Sequence, residues 1–190
     1  MRIAFYKNDK LILNVSDVSR VSEGTPYAFL GDDTFYTLNS KPKYELYYYT
    51  IVDGAIVEKS QEDKELCYPV VLQELKAFKL AQIDTRTDAI ISQGFTYADK
   101  QFSLSLEAQS NWTGMMVASD FLTFPYEITA QNADNVGGVK YSLADKAELV
   151  TFYLTGIGYV SYVIGAGRAL KLLVNEAATP DAVLAVEDAR

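Results

Sequence analysis

A chain of 190 residues, 49% of them apolar, is long enough to bury a genuine core as one domain or two small ones. Its 17 basic against 25 acidic residues give a net charge of -8, which repels a phosphate backbone and excludes nucleic acid as an expected partner. The absence of histidine removes the commonest general base and the commonest metal ligand, and no enzyme, no catalytic residue, no cofactor and no metal is expected; a carboxylate-based sugar hydrolase using Asp32-Asp33 or Glu62-Asp63 as paired carboxylates is the competing reading, against which these pairs read as a turn and a linker.

Residues 2–6 and 11–13 are β-prone runs around turn chemistry at Asn8-Asp9, an opening hairpin. A polar stretch at 14–25 follows. Residues 26–30 and 34–38 then flank Gly31-Asp32-Asp33 as a second hairpin, and Ser40-Lys41-Pro42 breaks the chain. Residues 44–52 meet 55–59 across Asp53-Gly54, a two-residue connection whose positive φ angles both residues tolerate. Eight of the 14 tyrosines lie at or before Tyr68. Tyr44, Tyr47 and Tyr49 are the candidate outward binding surface, because tyrosine supplies large contact area at low entropic cost. Opposing that reading, strand alternation buries half of any such row.

The charged segment 60–65 marks a change of hydrophobic period and the expected domain boundary, giving a small antiparallel β domain at 1–65 and a helical module at 66–190. Cys67 has no disulfide partner and no evident basic neighbour, and reads as a small buried apolar residue. Residues 71–93 form a helix with Leu72, Leu75, Leu80, Ile83, Ile90 and Ile91 on one side, ended by Gly94. Asp84 and Asp88, one turn apart on it, are too few for a cation cage and read as a solvated face. A tight hairpin at 95–103, a short helix at 104–118 carrying Trp112, Met115 and Met116, β character at 121–130, a polar loop at 131–138 and a return at 139–141 come next.

The longest element is a helix over 142–175, opened by a capping box of Ser142 and Asp145. Leu149, Tyr153, Gly156, Val160, Val163, Gly167, Leu170 and Val174 recur at spacings of four and three along one seam. Gly156, Gly158, Gly165 and Gly167 each cost the helix about 1 kcal/mol relative to alanine, so the close approach of another backbone is expected to compensate. Gly156, Val160, Val163, Gly167 and Leu170 are therefore the predicted helix-packing or oligomer interface. The charge-free run 149–167 approaches the roughly 20 residues of a membrane span. Its threonines, serine, tyrosines and glycines favour packing inside protein instead, and a membrane is not expected. Thr179-Pro180 caps a terminal helix at 181–188. The fold class is α+β: a small antiparallel β domain, then a helical module of two long helices with short hairpin insertions.

Residues 75–83 (LKAFKLAQI), 88–95 (DAIISQGF), 102–111 (FSLSLEAQSN), 141–143 (YSL) and the closing 171–180 carry a resemblance. From about Leu72 onward the chain resembles an uncharacterised domain family of tailed-bacteriophage and prophage proteins associated with tail fibres. That resemblance implies a virion structural protein of tail, fibre or baseplate, made in the host cytoplasm and acting by protein–protein assembly. Its partners would be other virion proteins and copies of itself, with a homotrimer preferred by analogy. A receptor- or glycan-binding module for host attachment and a tail-fibre assembly chaperone are the alternatives.

Overall fold

The computed structural model describes residues 2–14, 21, 23–131 and 138–190. The polar stretch expected at 14–25 and the loop expected at 131–138 fall largely outside them. The architecture is α+β, with antiparallel sheets and long helices. Contacts divide the chain into one unit of Met1–Lys79 with Val174–Glu187 and a second of Leu80–Leu173 with Asp188–Arg190.

In the first unit, β1 (Arg2–Lys7) is central in a three-stranded antiparallel sheet, between β2 (Lys10–Asn14) and β3 (Tyr27–Leu30). Asn8 and Asp9 take positive φ in the first turn, as their side chains tolerate. The strand expected at 34–38 is instead helix α1 (Asp32–Asn39). Asp32 and Asp33 sit in its first turn, where carboxylates complement the helix dipole, and Phe35 and Leu38 bury one face at a three-residue spacing. A five-residue run is too short for periodicity to separate that spacing from strand alternation. A 3₁₀ turn, Lys43–Tyr48, replaces the first half of the strand expected at 44–52. Only β4 (Tyr49–Val52) and β5 (Ala55–Glu58) form the hairpin across Asp53-Gly54.

The charged segment at 60–65 is not a linker but helix α2 (Gln61–Leu66), capped by Ser60, whose hydroxyl accepts from the Asp63 amide at 3.1 Å. Helix α3 (Tyr68–Gln93) follows, with Val71, Leu75, Ile83 and Ile90 as its buried positions. The boundary expected at 65/66 lies near the α2–α3 junction, whereas the division drawn by contacts falls inside α3.

In the second unit the two expected hairpins belong to one four-stranded antiparallel sheet, ordered β6 (Phe95–Tyr97), β7 (Lys100–Phe102), β8 (Tyr126–Gln131) and β9 (Gly138–Leu143). Helix α4 (Leu106–Val117) starts from Ser105, whose hydroxyl accepts from the Ala108 amide. Helix α5 spans Lys146–Glu176. Ser142 does not cap it, because β9 uses Ser142 opposite Glu127. Asp145 is the cap: its carboxylate accepts from the Glu148 amide at 2.8 Å, and Glu148 reaches back to the Ala144 amide at 2.7 Å. The same box thus operates three residues later than expected. Helix α6 (Pro180–Leu184) starts from Thr179 and is shorter than the expected 181–188.

Phe152 is fully buried, with the rings of Phe102, Trp112, Phe95 and Tyr97 at 4.8, 5.0, 5.4 and 5.4 Å. Gly94 closes α3 at φ +84°, and a Cβ there would sit 2.0 Å from the Phe102 carbonyl oxygen. Gly94→Ala combines a left-handed strain with that overlap and is expected to cost about 3 kcal/mol. Chemical denaturation measures it, and a loss below about 1 kcal/mol would show that the turn relaxes freely.

Candidate functional site

Helix α5, about 46 Å long at 1.5 Å per residue, presents two different faces. On the inward one, Leu149, Phe152, Gly156, Val163 and Gly167 are buried within the second unit. A Cβ on Gly156 would meet the Phe95 ring at 3.1 Å and Trp112 at 3.4 Å; one on Gly167 would meet Thr87 Oγ1 at 2.8 Å and the Arg190 guanidinium at 2.9 Å. Both glycines therefore make room for aromatic rings and a guanidinium, not for the backbone that was expected. Arg190 in turn donates to Val163 O and Thr87 Oγ1, each at 3.0 Å, and pairs with Asp188 at 2.6 Å. Val160 and Leu170 are half-buried. The five residues predicted to form an interface thus lie along the internal seam of the helix. Asp84, on the solvated face read for α3, pairs with Lys171 of α5.

The outward face was not singled out by the sequence reading. Thr151, Thr155, Gly158, Tyr162, Gly165, Ala169 and Leu172 are all exposed and recur at spacings of four and three. Leu154, Tyr162, Leu172 and Leu173 are 60%, 71%, 57% and 54% exposed, and nothing lies within 4 Å of a Cβ built on Gly158 or Gly165. Thr151 and Thr155 donate their hydroxyls to the carbonyls four residues back, at 2.9 and 2.7 Å. Their polarity is therefore satisfied within the helix, and their methyl groups are left to define the surface. Among the described residues this is the one helix long and apolar enough to cross a membrane by length and composition.

The tyrosines expected to face outward do not form a row. Tyr44 and Tyr47 lie three apart in the 3₁₀ turn, hence on one side of it, and both are buried; Tyr49 is half-buried in β4. The Tyr47 hydroxyl donates to Glu74 at 2.9 Å, and Lys10 holds the same carboxylate at 2.6 Å. Burial, and then the bond to Glu74, push the Tyr47 hydroxyl up to about 12. Tyr48 reaches about 12 mainly through burial, and Tyr141 about 12 through its bond to Glu148 and then burial. A raised tyrosine favours the neutral form in the folded chain. The resulting stability is complete below the unfolded value of about 10 and is lost as pH rises toward 12. Burial raises Tyr44 and Tyr97 as well, so ultraviolet phenolate titration is expected to show a late wave that includes these five of the 14 tyrosines, and a single wave would contradict these environments.

Cys67 is buried as expected, but a basic group does stand beside it: Lys59 Nζ donates to its sulfur at 3.2 Å. Burial works against the Lys59 charge, yet bonds to Tyr6 and Cys67 outweigh it and hold the ammonium above its usual range. The missed signal is Lys59 itself, eight residues upstream of Cys67, which the intervening helix folds back on the thiol. Asp32 and Asp33, weighed as paired carboxylates, occupy the first turn of α1, and Glu62 and Asp63 that of α2. Among the described residues no cluster of three metal-ligating side chains occurs.

Residues 74–189 match a family described as a domain of unknown function (DUF4376). Neither a curated protein nor a solved structure matches the chain.

Proposed function

The chain belongs to the DUF4376 family of domains of unknown function, and we propose that it is a bacteriophage virion structural protein that acts by protein–protein assembly. The observation carrying the assembly reading is the outward face of α5, where Leu154, Tyr162 and Leu172 are more than half exposed and nothing lies within 4 Å of a Cβ on Gly158 or Gly165. Two mid-helix glycines in open solvent each cost about 1 kcal/mol. A second helix packed close against them supplies the return, since spacings of four and three suit interdigitated side chains and glycine permits short interaxial distances. The virion setting rests on the resemblance of the segment from Leu72 onward to tail-fibre-associated phage domains.

Self-association through this face is the form of assembly proposed, with a homotrimer preferred by analogy with tail components. Sedimentation velocity across a concentration series tests it. A monomer throughout the series would end the self-association reading, and mass spectrometry of purified particles then decides between a virion component and an assembly chaperone that leaves before completion. A bilayer is the competing occupant of the same face. Against it, the inward side of α5 meets charged groups, with Lys171 bound to Asp84 and Arg190 lodged beside Gly167, and such groups are expensive in hydrocarbon. Flotation of the protein with lipid vesicles in place of a sedimenting oligomer would reverse the choice.

A further inference from the structure

Within the first unit two hollows share Asn39, Lys41 and Lys43 as lining. One, of about 490 Å³, is walled by Pro42, Tyr44, Ala77 and Phe78. The other, of about 320 Å³, is walled by Leu11, Leu13, Leu38 and Leu46. Each is large enough for an apolar side chain, and the shared lysines place positive charge between them.

The charges around this groove do not cancel. Glu74 accepts from Lys10 and Tyr47, and Glu45 pairs with Lys41 at 3.1 Å. Lys43 is exposed and has neither ion pair nor side-chain hydrogen bond among the described residues. Among the described residues, three lysines against two carboxylates leave one cation unpaired, on a chain whose net charge is -8. Phe78 is 47% exposed, so the larger hollow is open along one side. An open hollow does not enclose a free small molecule, which typically buries most of its surface on binding; it accepts one side chain of a polypeptide running past.

We infer that this groove binds an extended peptide segment of a partner protein, with an aromatic side chain beside Phe78, an acidic residue on Lys43 and an aliphatic side chain among Leu11, Leu13 and Leu38. The apolar hollows supply affinity, and Lys43 favours a segment that is acidic between its apolar anchors. This surface is separate from the outward face of α5, so either can fail without the other.

The test uses the full chain and a fluorescein-labelled, end-blocked peptide of order Phe-Asp-Glu-Leu, followed by anisotropy. Its neutral counterpart Phe-Asn-Gln-Leu is expected to bind about fivefold more weakly, and Lys43→Gln to weaken the acidic peptide about as much. Phe78→Ala is expected to weaken it about tenfold. Amide shifts in a heteronuclear NMR spectrum should localise to Leu13, Lys43 and Phe78, and the same spectra establish that both variants, altered only at exposed positions, stay folded. No peptide binding, equal binding of the neutral peptide, or indifference to Lys43→Gln would each overturn the inference. Equally tight competition by 3-phenylpropionate would overturn it in favour of a small-molecule site.

Discussion

Phe152→Ala is expected to lower unfolding stability by about 4 kcal/mol, the upper part of the range for a buried phenylalanine. The side chain is wholly inaccessible and has four aromatic rings within 5.4 Å, contributed by β6, β7 and α4. Truncation therefore leaves a void that no single neighbour can fill, since Phe95, Phe102 and Trp112 are each held by their own elements. Edge-to-face geometry adds to the loss, as Trp112 and Phe102 both meet the Phe152 ring at 76°. Urea denaturation followed by fluorescence reads the effect directly, because Trp112 is the only tryptophan and touches the void. The neighbouring Tyr153→Ala, half-buried, should cost about 1 kcal/mol. A loss under about 2 kcal/mol for Phe152→Ala would mean that the cluster collapses freely and that the sheet is held chiefly by other contacts.

Phe152 also marks the limit of what the chain discloses before it folds. The spacing of four and three that traces the seam of α5 runs from Leu149 to Tyr153 and steps over Phe152, although the structure buries Phe152 and leaves Tyr153 half-exposed. Periodicity finds the correct side of a helix but not which of two adjacent residues points at the sheet, because that depends on where the sheet lies. The helices α3 and α5, the turns at Asn8-Asp9 and Asp53-Gly54, and the end at Gly94 were legible, since each rests on local chemistry. Joining β6–β7 to β8–β9 was not, as the pairing of Gln101 with Gln131 leaves no trace in either segment. Ser142 and Asp145 show the same limit in reverse: two valid caps stand three residues apart, and the tertiary demand of β9 for Ser142 selects the second.

The four glycines of α5 divide by what surrounds them. Gly156 and Gly167 are filled by rings and a guanidinium from the same unit, whereas Gly158 and Gly165 look outward, and sequence spacing separates the two faces without showing which one the unit covers. Their substitution separates the pairs. Gly158→Ala with Gly165→Ala meets no atom and removes two helix-weakening residues, so thermal stability of the monomer should rise by about 1 kcal/mol for each. Association should fall at the same time, because a methyl group at each position keeps a partner helix at a greater distance. Replacing Leu154, Tyr162 and Leu172 together by glutamine keeps good helix formers at exposed sites, and is expected to leave stability within about 0.5 kcal/mol while abolishing the oligomer. Opposite signs for stability and association are difficult to obtain from a face that only meets water, for which both sets of changes would leave sedimentation unaltered. Sedimentation unchanged in both variants would therefore remove the outward face of α5 from the assembly, whatever oligomer the wild-type chain forms.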